Sequence, residues 1–156
     1  MKRSKLRRKT PLRAKTPISR GKTRSGRAKP QKTGNRPLEL KRAKKRLWEL
    51  CKLLTRKFHG NHCYTCGSYV EFPHTGHFIT DSTCSTELSY DLRNLKPQCY
   101  PCNVHKSGNW VAFEARLIQE NGREYVDELK ERNRKTKGLK YGLEWFLNKI
   151  KEYEKL

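Results

Sequence analysis

The chain has 156 residues, of which 33% are hydrophobic, and it carries a formal net charge of +22 at pH 7. That length suits one domain with a modest core plus a tail. No window approaches the roughly 18 consecutive apolar residues of a membrane span, and no apolar stretch follows the N-terminal charges as in a secretory signal, so we expect a cytoplasmic protein.

The positive charge is concentrated at the N-terminus. Residues 1–46 hold 20 Lys and Arg with one acidic residue, whereas the other 110 residues hold 17 basic and 14 acidic ones. Such a block favours a polyanionic partner. Nucleic acid is favoured over an anionic membrane because the segment has no apolar face.

Residues 1–35 are rich in Lys, Arg, Thr, Ser, Gly and Pro and nearly lack large apolar side chains. Such a segment cannot bury a core, so we expect a disordered tail that binds nucleic acid with a steep salt dependence. The alternative is a tail that only improves solubility. The expected phosphate contacts near its start are Lys2, Arg3, Arg7, Arg8 and Lys9.

A folded region over 36–156 follows, and it opens with a helical segment at 36–60. The spacing predicts a helix over 38–58, with Pro37 in its first turn and basic residues on one face. Cys51 falls on the apolar side and is expected in the core. The apolar positions of that side are Leu40, Ala43, Leu47, Leu50 and Leu54.

Two Cys-x-x-Cys pairs, separated by 32 residues, occupy the middle segment 61–108. Four thiolates suit one tetrahedral zinc ion, and a closed site of this kind stabilises a fold rather than catalysing a reaction. Two disulfides or free thiols are the alternative, and Cys84 is left over as a loop thiol. The predicted zinc ligands are Cys63, Cys66, Cys99 and Cys102. Short β pieces are expected near 68–72 and 76–80.

Helices are predicted throughout 109–156. The segment NWVAFEARLIQEN begins with Asn109 as N-cap and is followed by Gly122, and GREYVDELKERNR is expected to form the next helix. The last helix places Leu143, Phe146, Leu147 and Ile150 on one face, which is typical of a scaffold helix.

Several polar residues of the middle segment suit phosphodiester hydrolysis. A neutral imidazole such as His77 can accept a proton from water near pH 7. Asn103 and His105 can hold a divalent metal ion, and Arg93 and Lys106 can contact phosphates.

The stretches CYTCG, GHF, RNLKPQCYPCN and HKSGN resemble the HNH (ββα-metal) endonucleases, in particular the phage lambda NinG/Rap recombination endonuclease family, over roughly residues 45–130. Phage endonuclease VII is a more distant likeness, because Asn also follows its last zinc cysteine and its C-terminal region has a helix of the LEW type.

The resemblance implies an α+β fold, in which a zinc-pinned β-hairpin and helix form an HNH core flanked by helices. It implies that His77 is the general base, that Asn94 braces the loop and orients that histidine, and that Asn103 binds Mg²⁺ or Mn²⁺ at the start of the helix. The products would carry 5′-phosphate and 3′-hydroxyl ends.

One position departs from the family pattern. Many HNH sites have Asp immediately before the base histidine as a second metal ligand, whereas this chain has Gly76. His105 is the first candidate for the second ligand, followed by His74 and Asp81. The site would otherwise hold its metal weakly until a substrate phosphate joins it.

The leading hypothesis is a metal-dependent DNA endonuclease that cuts branched DNA, such as Holliday junctions or D-loops, in phage recombination. Its location would be the host cytoplasm or nucleoid. Two cuts resolve a junction, which makes a homodimer a reasonable expectation. The alternatives are a zinc-stabilised, non-catalytic nucleic-acid-binding protein and an HNH homing or restriction-type nuclease. In the non-catalytic case, His77 would be a core histidine and Asn103 only a helix cap.

Overall fold

The computed structural model describes residues 36–156. The predicted tail 1–35 and its five candidate phosphate contacts lie outside the described residues. No helix in the described part combines the length and apolar character needed to cross a membrane.

Most of the secondary structure is helical, and two short strands lie in the middle of the chain. The elements are α1 Arg36–His59, β1 His74–His77, α2 Thr86–Ser89, a 3-10 turn Leu92–Asn94, β2 Leu95–Gln98, a π-type turn Pro101–His105, α3 Trp110–Asn121, α4 Arg123–Thr136 and α5 Leu143–Tyr153. The fold is therefore a helix-rich α+β arrangement with a two-stranded sheet.

The helix predicted over 38–58 is present as α1. Its apolar residues recur every three or four positions, so they share one face, and that face packs against α5. Cys51 is fully buried there, as predicted. On α5, Phe146 and Ile150 are buried as expected. Leu147 is 43% exposed, however, and Tyr153 takes its place in this core.

A second apolar cluster joins α3 and α4 to the segment around β1. It contains Tyr64, Phe78, Phe113, Leu117, Val126 and Leu129. The C-terminal helices thus contribute to two apolar clusters, which is the scaffold role that the sequence predicts.

The helix boundaries agree with the prediction except at Asn109. Gly122 follows α3 with a φ of 88°, and its N–H donates to the carbonyl of Ile118. Asn109 does precede α3, but its side chain does not cap the helix. The residue has a left-handed φ of 49°, and Nδ2 points to Cys102 Sγ at 3.7 Å.

The two strands pair antiparallel, with His74 opposite Gln98 and His77 opposite Leu95. The strand expected at 76–80 lies earlier, because the backbone after His77 bonds to Asn94 rather than to a longer strand. The segment 68–72 forms no strand and contributes one bridge, between His62 and Tyr69.

Candidate functional site: a cysteine cluster beside a histidine cavity

The four predicted zinc ligands converge on one point. Their Sγ atoms all lie within 4.8 Å of one another. Cys66 Sγ and Cys99 Sγ are 3.7 Å apart. Four sulfurs placed tetrahedrally around zinc at about 2.3 Å would be separated by about 3.8 Å. All four cysteines are free, and the cluster could hold a zinc ion.

Polar neighbours surround the cysteines. The Thr65 hydroxyl lies 3.3 Å from Cys63 Sγ, and the Ser68 hydroxyl lies 3.3 Å from Cys66 Sγ. Burial opposes ionisation of the Cys63 thiol, but hydrogen bonds from Thr65 and the nearby backbone outweigh it and lower the pKa to about 6. The hydrogen bonds thus favour the metal-binding thiolate form of Cys63, whereas burial raises the pKa of Cys99.

The stretch after Cys102 folds back over the cluster. Ser107, Gly108 and Asn109 have φ values of 47°, 88° and 49°, three left-handed residues in succession. The Gly108 N–H lies 3.0 Å from the carbonyls of both Cys102 and Asn103. This tight return brings the residues after the last cysteine against β1.

Gln98 joins that return to β2. Its side chain is fully buried, and Nε2 donates to the Gly108 carbonyl at 2.7 Å. The same amide lies 3.3 Å from the Thr65 hydroxyl, beside the first cysteine pair. The sheet, the cysteine cluster and the return are thereby held together as one unit.

His77 is held at the end of β1 by two contacts. Its ring stacks on Trp48 of α1 with centroids 5.4 Å apart and planes 3° from parallel. His77 Nε2 lies 3.1 Å from the carbonyl oxygen of Ser89. A carbonyl only accepts hydrogen bonds, so Nε2 carries the proton and Nδ1 is left as the acceptor.

Burial lowers the pKa of His77, and the Ser89 carbonyl and the negative charge of Asp81 only partly oppose this shift. The imidazole is therefore neutral at pH 7 and is able to take up a proton.

Two cavities meet at His77, and Trp48 and Asp81 line both of them. The first, of about 300 Å³, is also lined by Thr75, Thr80, Asn103, Ser107 and Gly108. The second, of about 330 Å³, is also lined by Lys44, Thr86, Ser89 and Tyr90. The structure thus brings His77, Asn103 and Asp81 to the same cavity.

Asn94 is fully buried behind this cavity. Its Oδ1 accepts from the Ile79 N–H at 2.8 Å, and its Nδ2 donates to the carbonyls of Ile79 and Leu88, each at 3.2 Å. It ties the loop after His77 to the end of α2, which carries Ser89. Asn94 therefore positions the two segments that hold His77.

Asn103 lies in the π-type turn Pro101–His105, which precedes α3. Its Nδ2 is 3.4 Å from His74 Nδ1. His105 is exposed, with its ring centroid 5.0 Å from that of Tyr100, and it does not line the cavities at His77.

The two expected phosphate contacts of this region differ. Arg93 is engaged in ion pairs with Asp91 at 3.5 Å and with Glu128 at 3.1 Å. Lys106 is exposed and has no carboxylate partner within residues 36–156. Among those residues, the four cysteines are the only group of three or more His, Cys, Asp or Glu with converging ligand atoms.

The structure explains the glycine at position 76. A Cβ atom there would lie 2.0 Å from Gln98 Oε1 and 2.7 Å from Gln98 Cδ. An aspartate would have to displace the buried Gln98 side chain. The carboxylate that lines the cavities at His77 belongs instead to Asp81 in the following loop.

Sequence reasoning missed the contribution of α1 to the cavity. Trp48 of α1 stacks on His77 and lines both cavities. Lys44 was not singled out. The available signal was the spacing, because residues four apart on a helix lie on the same face.

The family profile described as "Bacteriophage Lambda NinG protein" matches residues 1–155. The chain belongs to the NinG family. Protein ninG of Escherichia phage 933W is 40% identical over 68 residues, which is 43% of this chain and 33% of that protein. Protein ninG of Escherichia phage lambda is 38% identical over the same length and coverage.

Protein ninG of Enterobacteria phage H19B is 44% identical over 54 residues, 35% of this chain and 26% of that protein. The matched segments thus span a third or less of the NinG relatives' length. No solved structure matches the chain.

Proposed function

We propose that this NinG family protein is a metal-dependent DNA endonuclease of the HNH type, a phosphodiester hydrolase. The observation that carries the proposal is the cavity at His77. A neutral imidazole with its Nε2 proton committed to Ser89 faces the same cavity as Asn103 and Asp81. A protein that only bound nucleic acid would have no use for a neutral imidazole in a cavity that two residues with metal-capable oxygens also line.

In this proposal His77 Nδ1 accepts the proton of the attacking water. The water oxygen forms a bond to phosphorus, the bond from phosphorus to the 3′ oxygen breaks, and that oxygen takes up a proton from solvent. The products carry 5′-phosphate and 3′-hydroxyl ends, as the HNH likeness implies. Stacking on Trp48 and the hydrogen bond to Ser89 orient the ring for this transfer.

Asn103 Oδ1 and the Asp81 carboxylate suit a hard cation such as Mg²⁺ or Mn²⁺, which prefers oxygen ligands. When bound, such an ion supplies charge stabilisation to the phosphate undergoing hydrolysis. Asp81 is our choice for the second ligand because it lines the cavity with His77, whereas His105 does not. A zinc ion held by the four cysteines would have a separate role, which is to fix β2 and the return after Cys102.

We propose branched DNA, such as a Holliday junction or D-loop, as the substrate within phage recombination in the host cytoplasm or nucleoid. This choice rests on the NinG/Rap and endonuclease VII likenesses. A homodimer would supply the two cuts that resolve a junction. Light scattering of the full chain, alone and with a junction, tests that state.

The decisive experiment compares a labelled four-way junction with a linear duplex of matched sequence, in zinc-loaded protein with Mg²⁺, with Mn²⁺ or with neither ion. Omitting the ion is preferable to a chelator, because a chelator would also remove zinc. The variants are His77→Ala and, as a matched control away from the cavity, His62→Ala.

Metal-dependent cutting of the junction by wild type and His62→Ala, lost in a folded His77→Ala protein, is the expected result. Equal cutting of both substrates would keep the nuclease and remove the junction preference. Cutting of linear DNA at a preferred sequence would favour the homing or restriction type. Binding without cutting by zinc-loaded wild type would overturn the proposal in favour of a non-catalytic binding protein.

A further inference from the structure

The helix α1 carries an unusual concentration of positive charge. Nine of its 24 residues are Lys or Arg and only two, Glu39 and Glu49, are acidic. Some of these charges are neutralised within the fold, since Arg46 pairs with Glu154 and Lys52 pairs with Glu49. No other Lys or Arg side chain of α1 has an Asp or Glu carboxylate within ion-pair distance among residues 36–156.

Three lysines on the side of α1 next to the cavity remain unpaired. Lys41, Lys44 and Lys45 are exposed, and none has a carboxylate within ion-pair distance among residues 36–156. They lie seven, four and three positions before Trp48, so the three lysines form one stripe on the side of the helix that carries Trp48. Trp48 ends this stripe by stacking on His77.

Lys44 links the stripe to the chemistry. It lines the cavity that contains His77, Asp81 and Ser89. Its Nζ lies 5.3 Å from the ring centroid of Phe146, a contact that holds the amine at the helix surface.

The dimensions of the stripe match a nucleic-acid strand. From Lys41 to Lys45 the helix rises by about 6 Å, at about 1.5 Å per residue. Phosphates of one DNA strand advance by about 3.4 Å per nucleotide along the duplex axis, so the three lysines span about two such steps. The length of the stripe therefore suits contacts to consecutive phosphates of one strand.

We propose that the stripe formed by Lys41, Lys44 and Lys45 is the surface along which one DNA strand enters the His77 cavity, with Lys44 holding a phosphate next to the one that is cut. This inference rests on the proposed nuclease function for its direction toward His77. It assigns a positioning role to a folded helix, in addition to the basic segment 1–35.

The first test measures binding without cleavage. Zinc-loaded full-length protein is titrated with duplex and four-way junction over a salt series, without Mg²⁺ or Mn²⁺. The variants are Lys41→Gln/Lys44→Gln/Lys45→Gln and a matched triple on the C-terminal helical region, Lys137→Gln/Lys140→Gln/Lys151→Gln. The control lysines are also exposed and unpaired within residues 36–156, and they line neither cavity.

Each lost phosphate contact lowers the slope of log affinity against log salt by about 0.9, so the stripe triple should lose up to about 2.7 from that slope. The control triple should change it little. An unchanged slope for the stripe triple, or equal changes in both triples, would overturn the proposal. Thermal melts and zinc content of each variant verify that it is folded.

The second test measures single-turnover cleavage at saturating protein. Lys44→Gln should slow cutting by about tenfold or more, whereas Lys151→Gln should cut as wild type does. If wild type does not cut, the nuclease proposal fails while the salt slopes still report on the stripe. If wild type cuts and the slopes of the two triples agree, the stripe proposal fails alone.

A third arm uses vesicles with anionic lipid as a competing polyanion. If the stripe triple loses vesicle binding but keeps the DNA salt slope of wild type, the partner of this face is a membrane surface and the proposal is wrong.

Discussion

The glycine before His77 offers a sharp test of how the cavity is built. In Gly76→Ala the new Cβ would meet Gln98 Oε1 at 2.0 Å, Cδ at 2.7 Å and Cγ at 3.0 Å. Ordinary contact requires about 3.4 Å, so Oε1 must move by about 1.4 Å. Because Gln98 is fully buried, the side chain cannot swing into solvent.

The cost follows from what that movement breaks. Overpacking a core costs about 1–3 kcal/mol. Losing the 2.7 Å bond from Gln98 Nε2 to the Gly108 carbonyl adds about 1–3 kcal/mol, since both groups are buried. We expect Gly76→Ala to lower the free energy of unfolding by about 2–6 kcal/mol, and Gly76→Asp to lower it further.

The assay is urea unfolding followed by circular dichroism in zinc-containing buffer, with Gln98→Ala in a double-mutant cycle. In the Gln98→Ala background the clash is absent, so Gly76→Ala should cost at least about 1 kcal/mol less than in wild type. Gly142→Ala is the matched control, because nothing lies within 4 Å of a Cβ there and φ is −80°. A cost below about 0.5 kcal/mol, or an equal cost in both backgrounds, would refute this account of Gly76.

Three further predictions concern zinc, Asn94 and His77. Removing zinc with a chelator, or replacing Cys102 with Ser, should abolish the cooperative urea transition, because metal binding by the cluster stabilises the fold. Metal analysis should find one zinc per chain, and unchanged unfolding of the metal-free protein would contradict the assignment. Asn94→Asp should lower the free energy of unfolding by more than about 3 kcal/mol, because a buried carboxylate would face the carbonyls of Ile79 and Leu88. Hydrogen exchange at the Ile79 amide should become faster, and unaltered exchange would contradict the role of Asn94 in holding this loop. Burial lowers the pKa of His77 below the ordinary 6.5, so the stability contributed by the neutral imidazole is present above pH 6.5 and is lost as the pH falls toward the folded-state pKa. The urea midpoint should therefore fall less between pH 7 and pH 5 in His77→Gln than in wild type, and equal falls in both proteins would contradict the lowered pKa.

The features that could be predicted from the sequence are those that depend on the spacing of residues close together in the chain. The helix α1 follows from apolar residues every three or four positions, and the cysteine cluster follows from two Cys-x-x-Cys pairs. The strand β2, with sequence LKPQ, was not predicted. All four of its residues are buried and one of them is proline, so the sequence lacks the alternation of apolar and polar residues that marks a strand. Asn109 looked like a cap because its side chain suits one, but its left-handed backbone follows from the fold over Cys102.

The candidate site divides in the same way. His77 and Asn103 were chosen from the sequence for their chemistry and, together with Asn94, through a family resemblance. The catalytic roles of all three residues stay predictions. Three features of the His77 cavity could not be predicted from the sequence. The stacking on Trp48 and the hydrogen bond to Ser89 join residues at least 12 positions apart, and Asp81 reaches the cavity through a loop whose conformation has no local sequence pattern.

The sequence by itself determined the charge distribution, the helical segments and the identity of the four metal-capable thiols. These depend on composition and on interactions between near neighbours. Only the tertiary structure decided which nitrogen of His77 is free, why position 76 has no side chain and which lysine of α1 lines the cavity. Those features arise where distant segments meet, and their geometry depends on how α1, the sheet and the return after Cys102 pack together.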